Sequence, residues 1–224
     1  LMTLAIHDLL EEGDTISFAG LDEAMPWLEI DAPPPSEPRD LLSLLNLARR
    51  VAAVHRRLEG TENEMLAEVA EQLPDTSPLV DKVAPLLSRD GRVSDTASPE
   101  LGRLRREMGR ARSDALAELE GVRRSHRDAV TDAPPTLRRD RYCLPVRSSA
   151  RSQLSGLLLD VSASGATSFV EPFSMVEINN RLAAAIAGET QEIQRILHLI
   201  ARLFADARDD LADAVEVLAG LDAV

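Results

Sequence analysis

The chain has 224 residues and a formal net charge of -13, with 44% hydrophobic, 28% charged and only 3% aromatic residues, a mixture typical of long helices and coiled coils. The acidic balance excludes wholesale coating of nucleic acid, no apolar run approaches the roughly 20 residues that span a bilayer, and no signal peptide is visible. The single cysteine, Cys143, cannot form an internal disulfide, so a reducing cytosol is the expected compartment, with no membrane partner.

In chain order, Leu4, Ile6, Leu9 and Leu10 recur at helical spacing until Gly13, and a connection with one brief helix near Asp22 to Leu28 follows. Ala32-Pro-Pro-Pro-Ser36 cannot sustain a helix, because proline removes backbone donors, and reads as a stiff linker. Ser36 is placed to cap a helix with Pro38 in its first turn. Leu41, Leu42, Leu45, Ala48, Val51, Ala52, His55 and Leu58 form its inward stripe, and Gly60 ends it. Thr61 and Glu64 have capping-box spacing ahead of Met65, Leu66, Val69 and Leu73. A short helix over Pro78 to Leu87 leads into a tight turn at Asp90-Gly91.

Ser98-Pro99-Glu100 starts a long helix, with a serine cap, proline at the first position and a carboxylate in the positive first turn. Leu101, Leu104, Met108, Ala111, Ala115, Leu119 and Val122 follow as a near-heptad seam that spans about 45 Å if it runs to Asp128. Ala133-Pro-Pro135 breaks it. A second seam follows in Leu182, Ile186, Ile193, Ile196, Ile200, Leu203, Ala207, Leu211, Ala214 and Leu218, interrupted only at Gly188-Glu189-Thr190. Both chain ends, Leu1 and Val224, fall inside helical patterns and read as cut from something longer.

Between the seams lies the one stretch that reads as sheet. Leu144, Val146, Leu157, Leu159 and Val161 alternate with polar or small residues, Ser162 to Ser168 supplies turn-formers around Gly165, and Pro172 stops the run after Phe169-Val170. Two or three short antiparallel strands are expected. The fold expected is mainly α: a helical core over residues 1–97, an ascending lever helix over 98–132, a small antiparallel β clamp over 133–173 and a descending lever helix over 174–224. The two helices then form a long, antiparallel, coiled-coil-like lever with the sheet at its tip.

Charge is unevenly spread. Residues 100–151 hold thirteen arginines against eight acids, a net +5 that leaves -18 on the remainder. The plainer account of the helical arginines is a solvated face with Glu107, Asp114, Glu118 and Glu120 as partners one turn away. That account fits Arg138, Arg139, Arg141, Arg147 and Arg151 less well, because they gather near the sheet with few acids. Phosphate contact is their candidate use, without base-specific readout.

Other chemistry finds little support. A phosphate-cradling loop needs a lysine beside glycines, and the only lysine, Lys82, sits in Val80-Asp-Lys-Val83. His7, His55, His126 and His198 do not pair in a metal-binding pattern, so no metal is expected. Ser162, Ser164, Thr167 and Ser168 lack a nucleophile elbow around them and read as turn residues, and Cys143 reads as a buried thiol. Asp160 and Glu171 read as turn carboxylates or as ion-pair partners of Arg141 or Arg147 rather than as a catalytic pair. No catalytic residue and no cofactor is assigned to this chain, which is not expected to be an enzyme by itself.

Four stretches, Asp90–Leu101, Arg141–Arg147, Asp160–Pro172 and Val176–Leu182, resemble successive signatures of the second bacterial MutS family, the paralogues that lack a mismatch-recognition domain. The resemblance runs over about residues 37 to 224, and Arg147 and Arg151 stand where that family commonly has lysine. It implies a core, lever and reduced clamp that precede an ATPase domain, where ATP and magnesium bind, and a small nuclease domain. It implies a homodimeric, ATP-driven clamp that acts on branched DNA and suppresses homologous recombination, or one that binds and splits collided ribosomes. Such a protein is cytoplasmic and associated with nucleoid or ribosome. Asp160, Ser162, Ser164, Gly165, Thr167, Phe169, Glu171 and Pro172 are then structural residues of the clamp turn. A purely structural dimerisation stalk is the remaining reading.

Overall fold

The computed structural model describes residues 24–29, 35 and 37–222. The helix expected over Leu1 to Glu12, the proline linker and the cap at Ser36 lie outside them. Two compact units divide the chain: residues 1–98 with 193–224, and residues 99–192. No helix among the described residues is long and apolar enough to cross a membrane.

In the first unit a 3-10 turn, Met25–Trp27, precedes α1 (Pro38–Leu58), α2 (Glu64–Gln72), α3 (Ser77–Val83) and a 3-10 turn at Ala84–Leu86. Glu37 occupies the N-cap position of α1, with no side-chain hydrogen bond to cap the helix. The stripe predicted on α1 is broader than expected, because Leu44, Leu47 and Val54 are buried beside it. Each fully buried aliphatic side chain of this kind contributes about 1.5–3 kcal/mol. The capping box at Thr61 does not form. Asn63 sits one residue before the helix and accepts from Leu66 N through Oδ1 at 3.4 Å. Asp90-Gly91 turns as predicted, with Ser88 N donating to Arg92 O at 2.8 Å and Leu87 bridging Val93. Two later segments complete the unit's core: Ile196, Ile200 and Phe204 from the end of α5 (Val176–Asp206), and Leu211, Ala214 and Leu218 from α6 (Arg208–Asp222). The expected single descending helix is therefore two, because the chain breaks at Ala207, whose N–H bonds to Phe204 O.

The second unit opens with α4 (Pro99–Ser125), three residues shorter than the seam suggested. Its seam residues Leu101, Leu104, Met108, Ala111, Ala115 and Leu119 are all buried. The first part of α5 runs antiparallel to it: Leu104 lies against Gly188, Arg105 bonds Glu189 at 2.7 Å, and Asp114 bonds Arg181 at 2.5 Å. Met108, Ala111, Leu182 and Ala185 fill the space between these pairs. Gly188 is not an interruption. A Cβ there would come within 2.9 Å of Leu104 Cδ2, so glycine lets the two helices approach. Ile186, placed in the seam from sequence, is 37% exposed instead.

Four strands, more than expected, form an antiparallel sheet of order β1-β2-β4-β3: β1 (Thr136–Arg138), β2 (Arg141–Arg147), β3 (Gly156–Val161) and β4 (Thr167–Pro172). A 3-10 turn, Ser148–Gln153, connects β2 to β3, and another, Phe173–Met175, leads from β4 into α5. Leu144, Val146 and Val170 pack with Ala115, Leu119 and Met175 into one core. The alternation read on β3 does not put its leucines inside. β3 is an edge strand with a bulge between Leu158 and Asp160, and Leu157, Leu158 and Val161 stay 45%, 45% and 44% exposed.

Candidate nucleic-acid interface

The β2–β4 register explains how the sheet is held to the rest of its unit. Leu144 pairs with Val170 and Val146 with Ser168, and beyond them Ser148 N donates to Ala166 O at 3.0 Å. In an antiparallel ladder bonded pairs alternate, so the next one would join Tyr142 to Pro172. Proline has no N–H to give. The amide of Asn179, on the first turns of α5, takes its place: Tyr142 N donates to Oδ1 at 3.0 Å, and Nδ2 donates to Tyr142 O at 3.0 Å. The second hydrogen of Nδ2 goes to Glu171 Oε1 at 2.9 Å.

Glu171 is fully buried. A carboxylate out of water is tolerated only when paired and hydrogen-bonded. Arg141 supplies the pairing as a fork, Nε to Oε2 at 2.6 Å and a terminal nitrogen to Oε1 at 2.5 Å. The same guanidinium reaches Asn180 Oδ1 at 3.0 Å and Val176 O at 3.4 Å. Its bond to Glu171 holds Arg141 above its ordinary pKa. The arginine read as a phosphate contact is thus engaged in four hydrogen bonds to three residues, and its pairing with Glu171 matches the plainer expectation for that carboxylate.

The other candidates spread over the sheet. Arg138, ending β1, lies over the Phe169 ring at 4.0 Å from its centroid, with Nε 3.5 Å from Asp160 Oδ2. Asp160 therefore faces Arg138 rather than Arg141 or Arg147. Arg139 and Asp140 form the two-residue β1–β2 turn, with φ of 51° and 60°. Both values positive match a type I′ hairpin, which asparagine, aspartate or glycine prefers, so Arg139 is held there against its own preference and projects at the turn. Arg147 ends β2, about 20 Å from Arg141 at ordinary strand rise, and donates to Asp128 O at 2.6 Å. Arg151 lies in the 3-10 turn after it, with Nε buried and lacking a hydrogen-bond partner among the described residues. The five arginines do not form one patch: three cluster at the β1–β2 turn and two at the opposite end of β2.

Of the residues read as turn-formers, Ser162, Ser164 and Gly165 do that work, whereas Thr167 and Ser168 belong to β4 and Ser168 is buried with its Oγ 3.0 Å from Ser148 Oγ. Gly165 N donates to Ser162 O at 2.8 Å, Gly165 has the positive φ of 72° that closes the turn between β3 and β4, and the Ser162 hydroxyl accepts from Thr167 N at 3.0 Å. Ser164 Oγ lies 3.4 Å from Ser162 Oγ. Cys143 is buried, and burial pushes its thiol up to about 11. Among the described residues no group of three or more His, Cys, Asp or Glu is arranged to hold a metal ion. Reasoning from sequence missed Asn179 as a functional residue. The signal for it was Pro172, a strand residue unable to complete a ladder pair.

No protein-family model matches the chain. It is 40% identical over 186 residues, 83% of its length, to a protein of Thermus thermophilus named endonuclease MutS2. It is 37% identical over 190 residues, again 83%, to the endonuclease MutS2 of Thermomicrobium roseum. It is 40% identical over 166 residues, 73%, to that of Halalkalibacterium halodurans. The chain spans 25%, 24% and 21% of the length of these curated relatives.

Proposed function

Because this chain is MutS2-like over 83% of its length, we propose that residues 99–192 are the nucleic-acid-contacting lever and clamp of a MutS2-type, ATP-driven protein that acts on branched DNA. The observation that carries this reading is the distribution of charge. Thirteen arginines stand against eight acids in residues 100–151, inside a chain of net charge -13, and that whole stretch falls within one compact unit.

The clamp is the four-stranded sheet, and the lever is the antiparallel pair of α4 and the first part of α5. A displacement delivered along α5 reaches the sheet through Asn179 and Glu171, whose bonds leave little freedom between helix and strands. Arg139, Arg147 and Arg151 carry the phosphate contact, and Arg141 holds the sheet in place for them. The motor that drives such a movement is no part of this unit, and neither is a nuclease. Pairing of two copies around one nucleic acid belongs to the same reading.

The test is affinity for a labelled four-way DNA junction over a salt series, with wild type beside a variant in which Arg139, Arg147 and Arg151 are all alanine. Three lost phosphate contacts lower the salt slope by about 3. An unchanged slope in a folded variant contradicts the assignment.

A further inference from the structure

We propose that a groove at the end of α4, rimmed by Arg123, Arg124 and Arg127, seats the phosphodiester backbone of a double-stranded nucleic acid. The inference deepens the nucleic-acid reading above and rests on it.

After Ser125 the chain turns and is fastened along β2. Arg147 N donates to Ala129 O at 2.8 Å, Val130 bridges Val146, and Thr131 N donates to Pro145 O at 2.9 Å. Ala129 and Val130 are buried, so this segment is a fixed wall. Between it and the last turn of α4 lies a concavity of about 330 Å³, lined by the three arginines with Thr131, Glu120 and Asp132. The guanidinium of Arg147 bonds Asp128 O at 2.6 Å, which brings the far end of β2 beside the same wall. Arg147 and the groove are thereby neighbours.

Helix chemistry accounts for part of this charge. Cations in a last helical turn complement the partial negative charge there, which is reason enough for Arg123 and Arg124. Arg127 lies beyond the helix end. Glu120 sits 3.8 Å from Arg123, while neither the Arg124 nor the Arg127 side chain makes a hydrogen bond or ion pair among the described residues. Elsewhere on the helix Arg103 is held by Glu100 and Glu107, and Arg105 by Glu189.

An open groove with two unpaired guanidinium forks fits a flexible series of phosphates, each able to accept a bidentate pair. The rim carboxylates Glu120 and Asp132 argue against a free compact anion. They lower the net charge of the concavity, so a lone phosphate gains little, whereas a backbone that passes over the rim reaches Arg147 as well.

The experiment is fluorescence anisotropy of labelled DNA and RNA duplexes of one sequence, titrated with the chain over a salt series. The Arg124→Ala/Arg127→Ala variant lowers the slope of log affinity against log salt by about 2, and inorganic phosphate does not compete with wild type. The Asp132→Asn variant keeps both arginines and binds several-fold tighter, which guards against misfolding of the first. A loss on either duplex supports the groove and names its source. Unchanged slopes in the alanine variant, alongside a loss in Arg139→Ala, overturn the groove while the parent reading stands. A wild-type chain that binds neither duplex at low salt overturns both.

Discussion

Asn179 presents both halves of its amide to the backbone of Tyr142, taking the N–H at 3.0 Å and bonding the carbonyl at 3.0 Å, where Pro172 leaves the ladder without a donor. A side chain from a helix thus completes a sheet. Asn179 is 1% exposed, so the backbone groups that it bonds are shielded from bulk water. Asn179→Ala strands two backbone groups and one bond of Glu171, and costs about 3 kcal/mol in urea unfolding. Asn179→Asp sets a second carboxylate beside Glu171. Like charge and burial raise the folded pKa of that aspartate, so its stability is present at low pH and lost as pH rises. The deficit of this variant is largest at neutral pH and shrinks toward about pH 4, its unfolded pKa.

Removal of Arg141 leaves the Glu171 carboxylate buried and unpaired. Arg141→Met costs about 3–5 kcal/mol, and adding Glu171→Gln to it recovers part of the loss. A double-mutant cycle by chemical unfolding reads the coupling. Additive losses contradict the pairing as drawn.

Glycine positions separate by what stands opposite them. A Cβ at Gly156 would meet the backbone oxygen of Glu171 at 2.3 Å, and one at Gly188 would meet the flexible end of Leu104 at 2.9 Å. Gly156→Ala therefore costs more than about 2 kcal/mol. Gly188→Ala stays within about 1 kcal/mol of wild type, since the gain in helix propensity offsets the shift of Leu104. Thermal unfolding of the two variants gives the ranking directly.

Cys143 has a folded pKa of about 11 against a reference value of 9.0. A raised folded pKa leaves this stability intact below the unfolded value and removes it as pH climbs from about 9 through 11. Wild type loses more stability over that interval than Cys143→Ala does, each measured against its own value at neutral pH. Alkylation of the native thiol at pH 8 is correspondingly slow.

Where local pattern and tertiary structure agree, the sequence was legible. The seam from Leu101 to Leu119, the Asp90-Gly91 turn, the Ser162–Thr167 loop and the buried thiol all follow from spacing and residue type. Position in the sheet was not. Leu157 and Val161 alternate as a buried strand does, yet strand order put them on an edge, and no local signal carries strand order. Nor did charge reveal its own pairing. Arg141 and Arg139 look alike in sequence, and only the fold sets one against Glu171 and the other at an exposed turn. The break at Ala207 was hidden for a related reason, since alanine suits a helix and its seam continues across the gap.

Amide hydrogen exchange of the chain with and without a four-way DNA junction tests the central claim most directly. Protection of Arg138–Asp140 and of Arg123–Thr131, with residues 38–98 unchanged, is the predicted result. Protection confined to residues 38–98, or none anywhere at low salt, contradicts the assignment of residues 99–192 as the nucleic-acid-contacting unit.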